Sequence, residues 1–249
     1  MDPKRNMFYS GTSGLVLPVS KIQYPPAFQG KSRLTYYASF FNSVEINSSF
    51  YKIPRLSTVI NWAESVDDDF KFTFKLAKVI THAKGLDFKA ADIELFMQTI
   101  SHIGNKKGCL LVQLPPGLKI KKFQQVQNLL KRIVAPDPYQ VWKVAIEFRD
   151  QSWYNEEVYD MINEYNASLV IHDLPLSATP LTTSNATFRY LRFHGPGGRY
   201  RGTYTYDFLF QQAQNIKVWL SEGTDVYVYF NNTMGEAFKN LQTLNCLLK

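Results

Sequence analysis

The sequence predicts an α/β fold, a (β/α)8 TIM barrel formed by one domain over residues 1–249, with its sixth helix incomplete. Three observations predict it. Eight short apolar runs recur along the chain, most neighbours are separated by stretches of helical periodicity, and most runs end on a polar or ionisable residue. Strands that alternate with helices build a parallel sheet. Eight such units in 249 residues match a closed barrel, which gathers its chemistry at the C-terminal ends of its strands. No linker-like, low-complexity or single-sign charged tract divides the chain.

The first run, residues 8–12, enters a glycine-bearing turn, and Pro18, Pro25 and Pro26 make the following stretch a loop. Ser32 is expected to cap a helix with Leu34, Tyr37, Ala38 and Phe41 on one face. Residues 43–47 alternate, with Val44 and Ile46 opposite Glu45 and Asn47. Ser57 is expected to cap a short helix. Residues 71–75 set Phe72 and Phe74 against Thr73 and Lys75, and a loop carrying Thr81 and His82 follows. Ile93, Phe96, Met97, Ile100 and Ile103 keep helical spacing up to Gly104.

The run at 109–113 stops before Pro115-Pro116, which cannot continue a ladder. Phe123, Val126, Leu130 and Ile133 mark the next helix. Residues 144–149 put Ala145, Glu147 and Arg149 on one face. Asn155 with Glu156 and Glu157 reads as a helix start, since acidic groups favour the positive end of the helix dipole. After residues 168–173 the chain is too polar and proline-broken for a full helix. Residues 188–194 align Tyr190, Arg192 and His194, and residues 226–231 align Tyr227, Tyr229 and Asn231. A helix at about 236–248 closes the chain.

Composition bounds the function. Hydrophobic content of 45% with 20% charged residues is that of an ordinary globular protein. The 18 Phe, 15 Tyr and 4 Trp fill a core and can line an amphipathic cleft. A formal charge of +7 serves solubility or draws anionic partners, a small anion or a nucleic acid. Cys109 and Cys246 lack metal-ligand spacing and are expected as buried thiols of a reducing compartment. No apolar signal core or membrane-length run is present, so the expectation is a cytoplasmic protein without membrane association. No cofactor fingerprint or oligomer signal is legible.

The motifs GTSG at 11–14, VEINSSFYKIP at 44–54, FKFTFKLAKVITH at 70–82, LLVQLPP at 110–116, VAIEFRDQSWY at 144–154, YLRFHG at 190–195 and YVYFNN at 227–232 resemble those of the YecE-like family, a TIM-barrel domain of unknown function. The resemblance runs from about Met7 to the C-terminus. It implies the barrel and a shared pocket but brings no established reaction; nucleic-acid processing has been discussed for the family by analogy with metal-dependent barrel endonucleases. After GTSG this chain carries Leu15-Val16-Leu17 where the family usually has aromatic residues, so the first loop is expected to contact a different ligand.

Glu45, Lys75, Gln113, Glu147, Arg149, His194 and Asn231 fall at strand ends on inward faces, where a barrel normally packs apolar layers. Such a set is either a rim network, Glu45 and Glu147 pairing with Lys75 and Arg149, or an open functional mouth. For a mouth, Glu45 and Glu147 are the general acid/base candidates, because unequal burial and nearby cations can split two carboxyl pKa values. His194 is the third catalytic candidate. Lys75, His82, Gln113, Arg149, Arg199, Tyr229 and Asn231 are expected to bind substrate. The glycine-rich stretch 194–204, with Arg199 and Arg201, suits phosphate or carboxylate. No metal is expected, since no HExxH, CxxC or close histidine set occurs. The leading expectation is a hydrolytic or acid/base enzyme acting on an anionic, phosphate-bearing substrate. A noncatalytic nucleic-acid binder and a glycoside hydrolase using Glu45 and Glu147 are the alternatives.

Overall fold

A computed structural model describes residues 7–135, 142–180 and 186–249. Its strands are β1 (Phe8–Thr12), β2 (Ser43–Ile46), β3 (Lys71–Lys75), β4 (Lys107–Gln113), β5 (Lys143–Glu147), β6 (Ser168–His172), β7 (Phe188–Phe193) and β8 (Asp225–Phe230). All pair in parallel in the order β1-β8-β7-β6-β5-β4-β3-β2, and a bridge from Ser13 to Glu45 joins the two ends of the sheet. The expected TIM barrel is therefore observed.

The helices are α1 (Arg33–Ala38), α2 (Ser48–Tyr51), α3 (Leu56–Glu64), α4 (Lys78–Thr81), α5 (Ala90–Ser101), α6 (Phe123–Val134), α7 (Glu156–Glu164), α8 (Tyr206–Ser221) and α9 (Ala237–Leu248). Ser32 caps α1 by accepting from Thr35 N at 2.9 Å, and Asn155 caps α7 by accepting from Val158 N at 3.2 Å. Ser57 caps nothing: α3 starts at Leu56, with extended Arg55 at the cap position and Ser57 already in the first turn. Between β6 and β7, residues 173–180 and 186–187 contain no helix, and the remainder of that connection lies outside the described residues. No helix among the described residues is long and apolar enough to cross a membrane.

Alternation along each strand sorts the side chains into two environments. Val44, Ile46, Phe72, Phe74, Val144, Ile146, Leu191, Val228 and Phe230 belong to the outer core, which the inner faces of the helices complete. Tyr9, Cys109, Leu111, Ala145, Val170, Phe188, Tyr190, Tyr227 and Tyr229 fill the barrel interior. Cys109 is buried there, but Cys246 is exposed, contrary to expectation. The buried stripe of α9 is Ala237, Asn240, Leu241 and Leu244, and two further residues along a helix turn Cys246 to the opposite side.

The β1–β2 seam carries side chains in place of a full ladder. Tyr37 Oη accepts from Thr12 N at 2.7 Å and donates to Ser43 O at 3.2 Å. Asn42 accepts from Ser10 N at 2.9 Å and donates to Phe8 O at 2.8 Å. Gly11 is required at this seam, because a Cβ on it would stand 2.1 Å from Ser43 O.

Several polar residues expected on strands lie just past them: Asn47, Arg149, Asp173, His194 and Asn231. The cause is clear at β5. Leu114 N donates to Glu147 O at 3.0 Å, and the next position of that neighbour to face β5 is Pro116, two residues on, which has no N–H to extend the ladder.

Candidate functional site

Above the aromatic interior, at the C-terminal end of the barrel, lies a layer of charged groups centred on Arg192. Its side chain comes inward from β7 and is fully buried. Arg192 Nε and Nη2 donate to Glu45 Oε2 and Oε1 at 2.9 and 2.7 Å, and Nη1 donates to Glu147 Oε2 at 2.7 Å. Both carboxylates are fully buried too. Glu45 also accepts from Tyr190 Oη at 2.5 Å and from Ser13 Oγ, and Glu147 accepts from Arg149 Nε. A guanidinium fork between two carboxylates is the arrangement in which buried charges are best compensated.

The network continues outward. Lys75 Nζ donates to Gln113 Oε1 at 2.7 Å and lies 4.2 Å from the centre of the Phe50 ring. Arg149 Nη2 donates to the same Gln113 oxygen at 3.2 Å and lies 3.3 Å from His194 Nε2, which is also 3.2 Å from Arg192 Nη1. His194 Nδ1 lies 3.3 Å from Asp173 Oδ1. With Nδ1–H donated to Asp173, Nε2 is free to accept from the arginines, which requires a neutral ring.

Burial drives the carboxyls of Glu45 and Glu147 toward higher pKa, but their cationic neighbours prevail. Arg192 holds Glu45 below the usual carboxylate range, and Arg149 with Arg192 holds Glu147 well below it. Burial brings the Lys75 ammonium down to about 8, and Arg192 adds to the effect while Glu147 and Glu45 oppose it. Burial also lowers His194, against the opposing bond to Asp173.

A family profile described as "Protein of unknown function DUF72" matches residues 9–249. The chain belongs to this family. It is 28% identical over 244 residues to the UPF0759 protein YunF of Bacillus subtilis (strain 168), covering 85% of this chain and 84% of that protein. It is 34% identical over 86 residues to the UPF0759 protein YecE of Escherichia coli (strain K12), about a third of each chain. Among solved structures, a DUF72 family protein from Thermotoga maritima MSB8 superposes with a TM-score of 0.77 at 26% identity, covering 97% of this chain and 99% of that one. The YecE-like resemblance and the barrel are thereby shown.

In this DUF72 barrel, six of the residues singled out from sequence share one hydrogen-bonded group: Glu45, Lys75, Gln113, Glu147, Arg149 and His194. Glu147 pairs with Arg149 as a rim network would have it, whereas Glu45 pairs with Arg192 and Lys75 bonds to an amide. His82 stands beside the group, its ring 5.0 Å from that of Phe50. Tyr229 lies beneath it, fully buried, with Oη bonded to Ser43 Oγ at 2.6 Å and Thr73 Oγ1 at 2.7 Å. Arg199 is exposed on its loop, and Asn231 offers its backbone N to Phe193 O at 2.7 Å.

The glycine-rich loop is braced internally, with Gly198 N bonded to Gly195 O at 2.7 Å and Tyr200 N to His194 O at 2.8 Å. The first loop contacts the fold: Leu15 and Leu17 pack against the outer core. Among the described residues no group of three or more His, Cys, Asp or Glu is placed to hold a metal ion.

Sequence reasoning gave Arg192 no role, although alternation put it between inward Tyr190 and His194. It also gave Ser13 and Tyr204 no role, and it weighed Asp173 only as a group that could converge on a metal. Tyr204 Oη donates to Asp173 Oδ2 and accepts from Gly195 N at 2.5 Å, which fixes the acid that orients His194.

Proposed function

We propose that the protein is an enzyme of acid/base chemistry that takes a small anionic substrate at the C-terminal mouth of the barrel. The observation that carries this reading is Lys75, a buried ammonium with no carboxylate within ion-pair distance among the described residues. A buried cation without an anion is costly, and a bound anion relieves that cost. Arg149, whose side chain is 9% exposed, borders the same Gln113 oxygen and adds a planar donor.

The surrounding loops support the reading. The segments that leave the C-terminal ends of the strands hold thirteen Lys and Arg against four Asp and Glu among the described residues, so they carry more than the whole chain's excess of +7. Such a field concentrates anions at the mouth.

Lys75 and His194 are the proton-transfer groups of this reading, with Glu45 and Glu147 as fixed negative charges. Glycoside hydrolysis requires one carboxyl to stay protonated as the acid, and both are held ionised, so that alternative is not favoured. Nucleic-acid binding is the second reading, favoured by the loop charge; yet Lys75 and Arg149 are too recessed for a polymer's phosphates.

Titration of the protein with inorganic phosphate, citrate and glucose, followed by calorimetry and thermal shift, tests the proposal. Phosphate or citrate should bind, glucose should not, and Lys75→Met should weaken anion binding at least about tenfold. Binding that is unchanged in the variant would remove the mouth as the anion site. Salt-sensitive capture of nucleic acid without small-anion binding would favour the second reading.

A further inference from the structure

We propose that Lys75 forms an imine with the carbonyl group of a small 2-oxo acid whose carboxylate is held by Arg149. This rests on the reading of the mouth as a small-anion site and narrows its substrate class.

The geometry has three parts. Lys75 leaves the end of β3 and is 9% exposed, so its Nζ is sheltered but borders the mouth. Its polar contact is a neutral amide oxygen, Gln113 Oε1 at 2.7 Å, and its other neighbour is the face of Phe50. Neither fixes the proton as a carboxylate partner would. Arg149 Nη2 reaches the same oxygen at 3.2 Å, so Nζ and Nη2 are closer than the sum of those two distances. Arg149 gives Nε to Glu147 and Nη2 to Gln113 and His194, while among the described residues its Nη1 makes only a long contact of 3.4 Å with Tyr200 Oη. Nη1 is therefore the donor of this planar group with most capacity left for a ligand.

A 2-oxo acid suits two cations that share one amide oxygen, because its carbonyl carbon and carboxylate are bonded neighbours.

The reaction balances without oxidant or reductant. The lone pair of uncharged Nζ attacks the carbonyl carbon, the C=O π pair moves to oxygen, and one N–H proton passes to that oxygen through solvent, giving a carbinolamine. The oxygen then leaves as water with the second N–H proton, and a C=N bond remains. The amine must be free to react. With its pKa brought to about 8, about half of Lys75 is free base at pH 8, against roughly one part in 250 for an exposed lysine of ordinary pKa ~10.4.

The test is reductive trapping on the full chain at pH 8 with pyruvate or glyoxylate and cyanoborohydride, read by peptide mass spectrometry. Lys75 should be labelled roughly a hundredfold faster than surface lysines, in line with its free-base fraction. Lys75→Arg, checked for folding by circular dichroism, should lose that label. Arg149→Met should slow trapping by pyruvate about tenfold more than it slows trapping by acetaldehyde, which reports the change in free amine alone. Should that variant not fold, protection of Lys75 against pyruvate by inorganic phosphate reads the same contact. Label scattered over surface lysines, or no label at Lys75 with either acid, overturns the inference. If phosphate still binds at the mouth in that case, the imine alone has failed; if it does not, the anion site has failed as well.

Discussion

Arg192 grips Glu45 through two parallel hydrogen bonds, Nε to Oε2 at 2.9 Å and Nη2 to Oε1 at 2.7 Å, with both side chains fully buried. The pair joins β7 to β2 across the barrel, and the third arm of the guanidinium reaches Glu147 on β5. One cation thereby fixes two carboxylates from opposite parts of the sequence.

Removing that cation should be severe. Arg192→Met leaves Glu45 and Glu147 buried without their shared partner, and losses of about 3–5 kcal/mol accompany such broken buried pairs. Urea unfolding measures it. A loss under about 1 kcal/mol would show that the two carboxylates find other compensation.

Lys75→Met should behave oppositely. It replaces an ammonium lacking a carboxylate partner with an apolar chain of similar length, while Gln113 keeps its bond from Arg149. Stability should hold or rise by up to about 1 kcal/mol as anion binding falls, the trade expected of a group kept for function. A large loss of stability would make Lys75 structural instead.

His172 should leave a signature in acid. It is buried, Nε2 lies 2.9 Å from Phe148 O, and burial lowers its pKa to about 4. The unfolded chain takes up the proton near pH 6.5 and the folded protein only near 4, so stability falls as pH drops through that window. The full difference is about 3 kcal/mol. His172→Gln should make the fall of the urea midpoint between pH 6.5 and 4 shallower, with His82 and His194 supplying what remains, and an unaltered slope there would clear His172 of the effect.

Gly11→Ala should separate β1 from β2, because the added carbon would stand 2.1 Å from Ser43 O. Backbone shifts forced by overpacking cost about 1–3 kcal/mol or more. A thermal melt within a degree of the parent would show that the seam yields without strain.

The barrel was legible because period-two alternation and polar strand endings survive in one dimension. Phe72 and Phe74 against Thr73 and Lys75 already assigned the inside of β3. Partner choice was not legible, since the angle around a closed ring decides it: Glu45 meets Arg192, 147 positions away, and Lys75 meets an amide. Arg192 was overlooked because an arginine on a fully enclosed strand face contradicts its usual exposure, and only two carboxylates brought from distant strands permit it. Cys246 and Ser57 misled at finer scale, through helix phase in one case and a helix that begins two residues earlier in the other.

The Ser13–Glu45 bridge lies on the line where the first strand meets the second, and Ser13 Oγ also donates to the Glu45 carboxylate. Shutting the cylinder and completing the acidic half of its mouth are consequently one event. Until the opening strand docks, Glu45 lacks the Ser13 hydroxyl and the sheet keeps an open edge, so sealing the last gap in the wall and satisfying that buried carboxylate are gained together.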